Sequence, residues 1–171
     1  MANELSVSET SLGSNSFRNV RRALLVILRV HLGVIFLITD LGKMFLDDKP
    51  FSTAMLGFLQ NFALKNASAP YQSFLQSVVI PNATLFSYLV MAGELVAGIS
   101  LLLGLGTRLG AVIAMFLFLN YMLAKGQIFW SPNSQDAAVF FSALVCCLGA
   151  AGRVYGLDAY FARRWPSLPL W

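Results

Sequence analysis

Two long apolar stretches of the sequence contain side chains that could carry chemistry. Arg29 and His31 fall within the first stretch, and Glu94 lies near the middle of the second, residues 81–104. A charged carboxylate deep in a membrane costs several kcal/mol unless a cation meets it. The sequence therefore predicts that Glu94 is either protonated or paired, and Arg29 is the best candidate for its partner.

Two roles are open for Arg29 and Glu94. They would form a structural ion pair that sets the helix register, or a polar site for a small molecule, a quinone headgroup or a proton. His31 is the single histidine of the chain, and its position two residues after Arg29 directs it to another helix face.

Three roles are open for His31. It would be a buried histidine satisfied by a neighbouring helix, a group that contacts or protonates a ligand, or an axial ligand to a tetrapyrrole shared with a partner chain. One histidine alone makes neither a bis-histidine haem site nor a metal cage.

The remaining charged residues of interest suit structural ion pairs. Asp40 and Lys43 are three residues apart near the end of the first apolar stretch, a spacing that predicts an ion pair on one helix face. Arg108 follows a glycine-rich turn, and Asp158 lies in the C-terminal segment. We expect both to take part in structural ion pairs as well.

The cysteines and the standard motifs point away from catalysis by this chain alone. Cys146 and Cys147 are adjacent in an apolar run, which is typical of small hydrophobic side chains in a helix; a vicinal redox pair is the alternative. The sequence has no zinc-protease, serine-hydrolase or phosphate-loop motif. We therefore predict no metal site and no complete catalytic constellation, and whether the chain belongs to an enzyme stays open.

The composition is that of an integral membrane protein. Hydrophobic residues make up 57% of the 171 residues and charged residues only 12%, about half the share in soluble domains. The net charge of +4 is spread over separate loops, which argues against nucleic-acid binding. The lipid bilayer is therefore the first predicted partner.

Four apolar stretches are long enough to be membrane spans. They are residues 23–44, 81–104, 109–124 and 136–154. Residues 46–80 are interrupted by prolines and place apolar residues at helical spacing, which predicts two short amphipathic helices at the membrane surface. The predicted fold class is all-α, an integral membrane four-helix bundle with short amphipathic surface helices between spans one and two.

Charge predicts the orientation. The side that holds both termini and the 104–108 turn also holds the arginines outside the first span, which are Arg18, Arg21, Arg22, Arg108, Arg153, Arg163 and Arg164. The positive-inside rule therefore places both termini in the cytoplasm, in a bacterial-type inner membrane. Residues 1–22 would form a flexible cytoplasmic tail, residues 23–156 the membrane domain, and residues 157–171 a basic aromatic cytoplasmic tail.

The order and spacing of several motifs carry a family resemblance. They are Arg29 and Gly33 with Gly42-Lys43, Gly93-Glu94 followed by Gly98 and LLLGLGTR at 101–108, Gly126 with Phe129, and the segment 149–158 ending in Gly156-Leu-Asp158. Over roughly residues 22–160 the chain resembles the DoxX-like proteins, which include the DoxD subunit of thiosulfate:quinone oxidoreductase. The resemblance implies a four-helix bundle, membrane redox chemistry, and polar positions at Arg29, Lys43, Glu94, Arg108 and Asp158.

Three functions follow as hypotheses. The first is an accessory or structural subunit beside other membrane subunits of a larger respiratory, photosynthetic or sulfur-oxidising complex, in contact with a quinone, lipid or pigment. The second is a subunit of a quinone-linked oxidoreductase in which Arg29 and Glu94 hold or protonate the quinone. The third is a small transporter or cargo-binding protein in which Glu94 takes up a proton. The small number of polar groups favours the first.

Overall fold

The computed structural model describes residues 2–45, 50–132 and 134–167, and the side chains among them from residue 16 onward. The elements in these ranges are helical. They are α1 (Ala2–Phe45), α2 (Phe51–Phe58), α3 (Leu64–Asn66), α4 (Ala69–Phe74), α5 (Ala83–Leu103), α6 (Thr107–Ala124), α7 (Gln135–Leu148) and α8 (Asp158–Arg164), with π-helical turns at Leu59–Ala63 and Leu75–Val79 and a 3₁₀ turn at Ala151–Arg153.

The predicted all-helical membrane fold is confirmed. Three helices are long and apolar enough to cross a membrane, namely Ser16–Phe45 of α1, α5 and α6. The fourth predicted span, 136–154, is shorter than expected, because α7 ends at Leu148 after 14 residues. Ala150 then adopts a left-handed backbone conformation, which no α-helix continues through. At 1.5 Å per residue α7 measures about 21 Å.

Helix α1 extends well beyond the first predicted span. It begins at Ala2 and has 44 residues, so it is about 66 Å long, roughly twice the thickness of a bilayer's hydrocarbon core. Its N-terminal part falls in the segment whose composition predicts a flexible tail. No proline precedes Pro50, and helix growth from an established apolar stretch is cooperative.

Glycines set the register between α1 and α5. A side chain on Gly33 would meet the backbone of Leu102, and one on Gly98 would meet Leu37. The two helices are therefore antiparallel and closely packed, as small residues permit in membrane proteins. Helix α6 runs back along α5, with Gly110 against Ser100.

The bundle core is built from small and branched side chains. Buried residues of α1, α5, α6 and α7 form one hydrophobic cluster, which includes Leu32, Leu101, Ala114 and Ala143. Phe36 reaches across this core and packs edge-on against Phe118, with ring centroids 5.6 Å apart. The four helices thus form one up-and-down bundle.

The segment between α1 and α5 folds as a cap on one end of this bundle. We call residues 50–80 the cap. Its helices have their own small core, in which Leu59, Ala63 and Leu75 pack with Ala124 at the end of α6. Pro50 and Pro70 stand at the beginnings of α2 and α4, where a proline's missing N–H costs nothing. The cap therefore lies at the end of the bundle where α1 and α6 finish.

Candidate functional site

A buried ion pair links α1 and α5 beneath the cap. Lys43 Nζ donates a charge-assisted hydrogen bond to Glu94 Oε2. The other carboxylate oxygen, Oε1, accepts from the Tyr121 hydroxyl at 2.7 Å. Glu94 is only 4% exposed, so its charge is met by protein groups from two other helices rather than by water.

A second carboxylate lies beside this pair. Asp40 is fully buried, and neither of its oxygens has a hydrogen-bond partner among the described residues. Asp40 interacts electrostatically with both Glu94 and Lys43. We call Asp40, Lys43, Glu94 and Tyr121 the carboxylate cluster. It places two carboxylates and one ammonium group in the protein interior.

These contacts correct two sequence-based expectations. Lys43, and not Arg29, is the cation that meets Glu94, and Lys43 donates to Glu94 rather than to Asp40. The register explains the first difference. Contact of Gly33 with Leu102 puts Arg29 beyond the end of α5, against Gly104, and Glu94 lies ten residues earlier on α5, about 15 Å away along the axis.

The carboxylate cluster borders a large apolar cavity between the cap and helices α5 and α6. The cavity has a volume of about 590 Å³, and Lys43, Glu94 and Tyr121 are part of its lining. The rest of the lining is mainly apolar and aromatic. Its phenylalanines are Phe51, Phe58, Phe74, Phe86 and Phe116. Ligand sites of small molecules have this size and character, an apolar pocket with a few placed polar groups.

Further polar groups from the cap and α6 also line the cavity. The Tyr71 hydroxyl donates to Asn120 Oδ1 at 3.0 Å, while Asn120 Nδ2 donates to the Phe116 carbonyl at 2.7 Å. Burial raises the pKa of Tyr71, so its hydroxyl keeps its proton at physiological pH. This bond ties the cap to the bundle at the wall of the cavity.

Lys43 stands between this cavity and a smaller one. The smaller cavity, about 200 Å³, shares Lys43 and Phe51 with the larger and is otherwise lined by residues such as Ser87 and Met91. Lys43 Nζ lies 4.9 Å from the centroid of the Phe51 ring, a cation–π distance. The ammonium group is therefore held by a carboxylate on one side and an aromatic ring on the other.

Arg29 belongs to a different buried cluster at the opposite end of the bundle. We call Arg29, Thr107 and Asp158 the arginine cluster. Asp158 accepts backbone hydrogen bonds from Gly106 N at 2.6 Å and Thr107 N at 2.9 Å, which satisfies donors at the start of α6. It also interacts electrostatically with Arg29.

The arginine cluster is enclosed by backbone. The guanidinium of Arg29 lies between Gly104 and Gly156, in space that a side chain at either position would occupy. Arg29 Nε and Nη1 and Thr107 Oγ1 have no hydrogen-bond partner in the described part of the chain. The arrangement joins the C-terminal segment to the α5–α6 turn, where Asp158 N donates to the Gly104 carbonyl at 2.8 Å.

The other predicted site residues lie apart from both clusters. His31 is exposed on the outer face of α1, so the expectation of a buried histidine is wrong. Its roles as a ligand-contacting group and as a tetrapyrrole ligand shared with a partner chain stay predictions. Arg108 lies half-exposed in the first turn of α6. Cys146 is buried and Cys147 half-buried, and both are free thiols.

One further ion pair lies near the cap end, where Lys125 Nζ donates to Asp136 Oδ2 at 2.7 Å. Asp136 is 5% exposed, and it opens α7 behind the N-terminal cap of Ser134. Among the described residues, no group of three or more histidine, cysteine or carboxylate side chains is arranged to hold a metal ion.

The sequence reasoning did not assign roles to Tyr71, Asn120 and Tyr121. A signal was present for two of them, because Asn120 and Tyr121 are adjacent polar residues near the end of an apolar span. Their roles depend on the packing of α6 against α5 and the cap, which no local pattern specifies.

The family model described as TQO small subunit DoxD matches residues 24–169, most of the chain. The match takes in all four bundle helices, the cap and both buried clusters. No curated protein and no solved structure matches the chain.

Proposed function

The chain belongs to the DoxD family of TQO small subunits, TQO being thiosulfate:quinone oxidoreductase, and from this premise we propose that it is the quinone-binding membrane subunit of a quinone oxidoreductase. The observation that carries the proposal is the cavity of about 590 Å³ whose lining includes Lys43, Glu94 and Tyr121. As a member of this family, the chain is a multi-pass membrane protein and a subunit of a membrane complex.

The lining of the cavity fits the chemistry of a quinone. A quinone has a flat ring, an apolar tail and two carbonyl oxygens that accept hydrogen bonds. Lys43 Nζ lies in the lining beside Glu94 and has donors beyond the one it gives to Glu94. The phenylalanines supply flat apolar surfaces for the ring and tail. We place the headgroup next to Lys43 and Glu94, with the tail among the aromatic side chains.

A quinone oxidoreductase must both oxidise its substrate and reduce the quinone, and we propose that different subunits carry these two tasks. We assign quinone binding to this chain, because its cavity holds polar groups beside an apolar lining, and we assign oxidation of the sulfur compound to a partner subunit. Relative to the sequence-based hypothesis, Glu94 keeps its place at the quinone site. Lys43 replaces Arg29 there, because Arg29 does not line the cavity.

We also propose an orientation. The arginines that flank the spans lie at the end of the bundle opposite the cap, and the positive-inside rule puts that end in the cytoplasm. Both termini are then cytoplasmic in an inner membrane, and the cavity lies in the outward-facing half. Attachment of a cleavable reporter to each terminus and to the 125–134 loop tests this orientation.

The proposed function is tested by titrating the purified protein, in lipid nanodiscs, with a short-chain ubiquinone analogue. We expect saturable binding that Glu94→Gln weakens about tenfold or more, because a charge-assisted hydrogen bond contributes about 1.5–3 kcal/mol. Without the Glu94 charge, Lys43 is no longer held beside the proposed headgroup site, so its hydrogen bond to the quinone is weakened.

Asp136→Asn is the matched control, since Asp136 is also a buried carboxylate paired with a lysine but does not line the cavity. Its quinone affinity should equal that of the wild-type protein. Wild-type protein that shows no saturable quinone binding in nanodiscs would contradict the proposal. The accessory subunit and the small transporter or cargo-binding protein, the first and third of the sequence-based hypotheses, would then remain.

A further inference from the structure

The carboxylate cluster contains more negative groups than positive ones. Asp40 and Glu94 together could carry two negative charges, while Lys43 supplies one positive charge. Among the described residues, another buried acid near the cap, Asp136, is already paired with Lys125. Tyr121, which faces the cluster from α6, contributes a neutral hydroxyl that donates to Glu94.

Asp40 supplies the second observation. It is 0% exposed, and both of its oxygens lack hydrogen-bond partners among the described residues. An ionised carboxylate without water, donors or a cation of its own is too costly to bury in a protein interior. Glu94 by contrast receives a hydrogen bond on each oxygen, and such bonds favour the ionised form.

From this arrangement we infer that Asp40 and Glu94 hold one proton between them, so that the carboxylate cluster is neutral in total. The proton resides mainly on Asp40, which makes Asp40 a neutral acid beside the ionised pair. Two carboxylates that interact electrostatically in a protein interior bind and release protons as a pair, so that the first proton is held by the pair. Asp40 does not line the cavity, so it acts through Glu94 and Lys43 and is a positioning residue.

The shared proton should affect the affinity for quinone, an inference that rests on the proposed function. A neutral cluster leaves the cavity end without net negative charge, and Lys43 remains available to a carbonyl oxygen. When the proton leaves at higher pH, the second negative charge competes for Lys43. Quinone affinity should therefore fall as pH rises and the shared proton is lost, because the Lys43 donor is drawn away from the ligand.

The first experiment needs no ligand. Infrared spectra of the purified protein at neutral pH should show a carbonyl band of a protonated carboxylic acid that shifts in D₂O. Asp40→Asn should lose this band, because Glu94 then pairs with Lys43 alone and stays ionised. Asp136→Asn should keep it, because Asp136 is paired with Lys125 and lies outside the carboxylate cluster.

The outcomes are separable. Absence of the band in the wild-type protein, or its persistence in Asp40→Asn, overturns the shared proton. The neutral amide is close in size to the carboxylic acid, so the variant should fold. Asp40→Glu, which retains an acid, should restore the band.

The second experiment measures quinone affinity between pH 6 and about pH 9. The wild-type affinity should fall severalfold across this range, and that of Asp40→Asn should stay flat. A flat wild-type profile with the band present overturns the link between proton and ligand. Failure of quinone to bind at all would count against the proposed function but would leave the infrared result to decide the shared proton.

Discussion

The carboxylate cluster and the arginine cluster place similar groups in different surroundings. Each combines a basic side chain with a carboxylate inside the bundle. In the arginine cluster, Gly104 and Gly156 lie against the Arg29 guanidinium and leave no free space beside it. Both Asp158 oxygens accept hydrogen bonds from backbone N–H groups. The carboxylate cluster borders a cavity, and Lys43 keeps 23% of its side-chain surface exposed.

This difference separates a structural role from a binding role. A buried charge alone does not identify a ligand site, because both clusters are buried. A ligand site is identified by free space next to donors that can still form hydrogen bonds. By that criterion Arg29 and Asp158 connect the α5–α6 turn with the C-terminal segment, whereas Lys43 and Glu94 line a cavity and are the residues of the proposed ligand site.

The largest loss of stability is expected when the arginine cluster is broken. Asp158→Ala removes both acceptors at the start of α6 and leaves the Arg29 charge buried without its carboxylate. We expect the free energy of unfolding to fall by about 3–5 kcal/mol, because two hydrogen bonds from backbone N–H groups to a charged acceptor are lost. Denaturant titration in detergent measures this loss. Asp158→Asn keeps an acceptor oxygen and should lose less. Equal stability of Asp158→Ala and wild-type protein would show that the cluster has no structural role.

A pair of glycine substitutions contrasts the two ends of the bundle. Gly104 has φ +66° and faces the Arg29 guanidinium, so Gly104→Ala should destabilise the protein by at least ~1–2 kcal/mol from backbone strain alone. Gly93 lies at the cavity, where a new Cβ would be 3.4 Å from Leu117 Cδ1. Gly93→Ala should be neutral or slightly stabilising, since alanine favours a helix. Melting temperatures of the two variants test the contrast, and a reversed order would refute it.

Removal of the cation from the carboxylate cluster should cost less than breaking the arginine cluster. In Lys43→Met the remaining carboxylates can take up a proton, whereas a buried arginine cannot lose one at accessible pH. Binding a proton at pH 7, about 2.7 pH units above the ordinary pKa of a glutamate, costs roughly 3–4 kcal/mol. The variant no longer has the desolvation cost of the ion pair, which offsets part of this, so we expect a net loss of about 1–2 kcal/mol at pH 7. The deficit relative to wild type should shrink as pH falls from 7 to 5. A constant deficit would argue against protonation of the cluster.

The smallest effect is expected at the Lys125–Asp136 pair. The Lys125 side chain is 36% exposed, so water screens much of the interaction. Lys125→Met should lower the free energy of unfolding by less than about 1 kcal/mol and leave quinone affinity unchanged. A loss comparable to that of Asp158→Ala would show that exposure is a poor guide to these pairs.

Much of the fold was predictable from local pattern. Apolar stretches of sufficient length indicated the helices that span the membrane, and prolines at 50, 70 and 81 indicated the interrupted segment that forms the cap. The end of α7 was harder to predict, because Ala150 and not a glycine adopts the left-handed conformation there. The apolar run 136–154 carries no residue type that marks this break on its own.

The candidate site was predictable only in part. Glu94 stood out because a carboxylate within an apolar span needs an explanation. The partner of Glu94 could not be identified in the same way, because Arg29 and Lys43 both lie on the first span. The depth of each in the membrane depended on where that span begins. Counting from residue 23 placed Arg29 near Glu94, while the contact of Gly33 with Leu102 places Lys43 there instead.

The sequence by itself determined that this protein is helical and membrane-spanning, that it belongs to the DoxD family, and that Glu94 requires compensation, because composition, periodicity and motif order are properties of the chain alone. Only the tertiary structure decided which cation meets Glu94 and that a cavity lies beside it. Both follow from the approach of one helix to another at glycines and from the packing of the cap on α5 and α6, and such contacts join residues far apart in the chain.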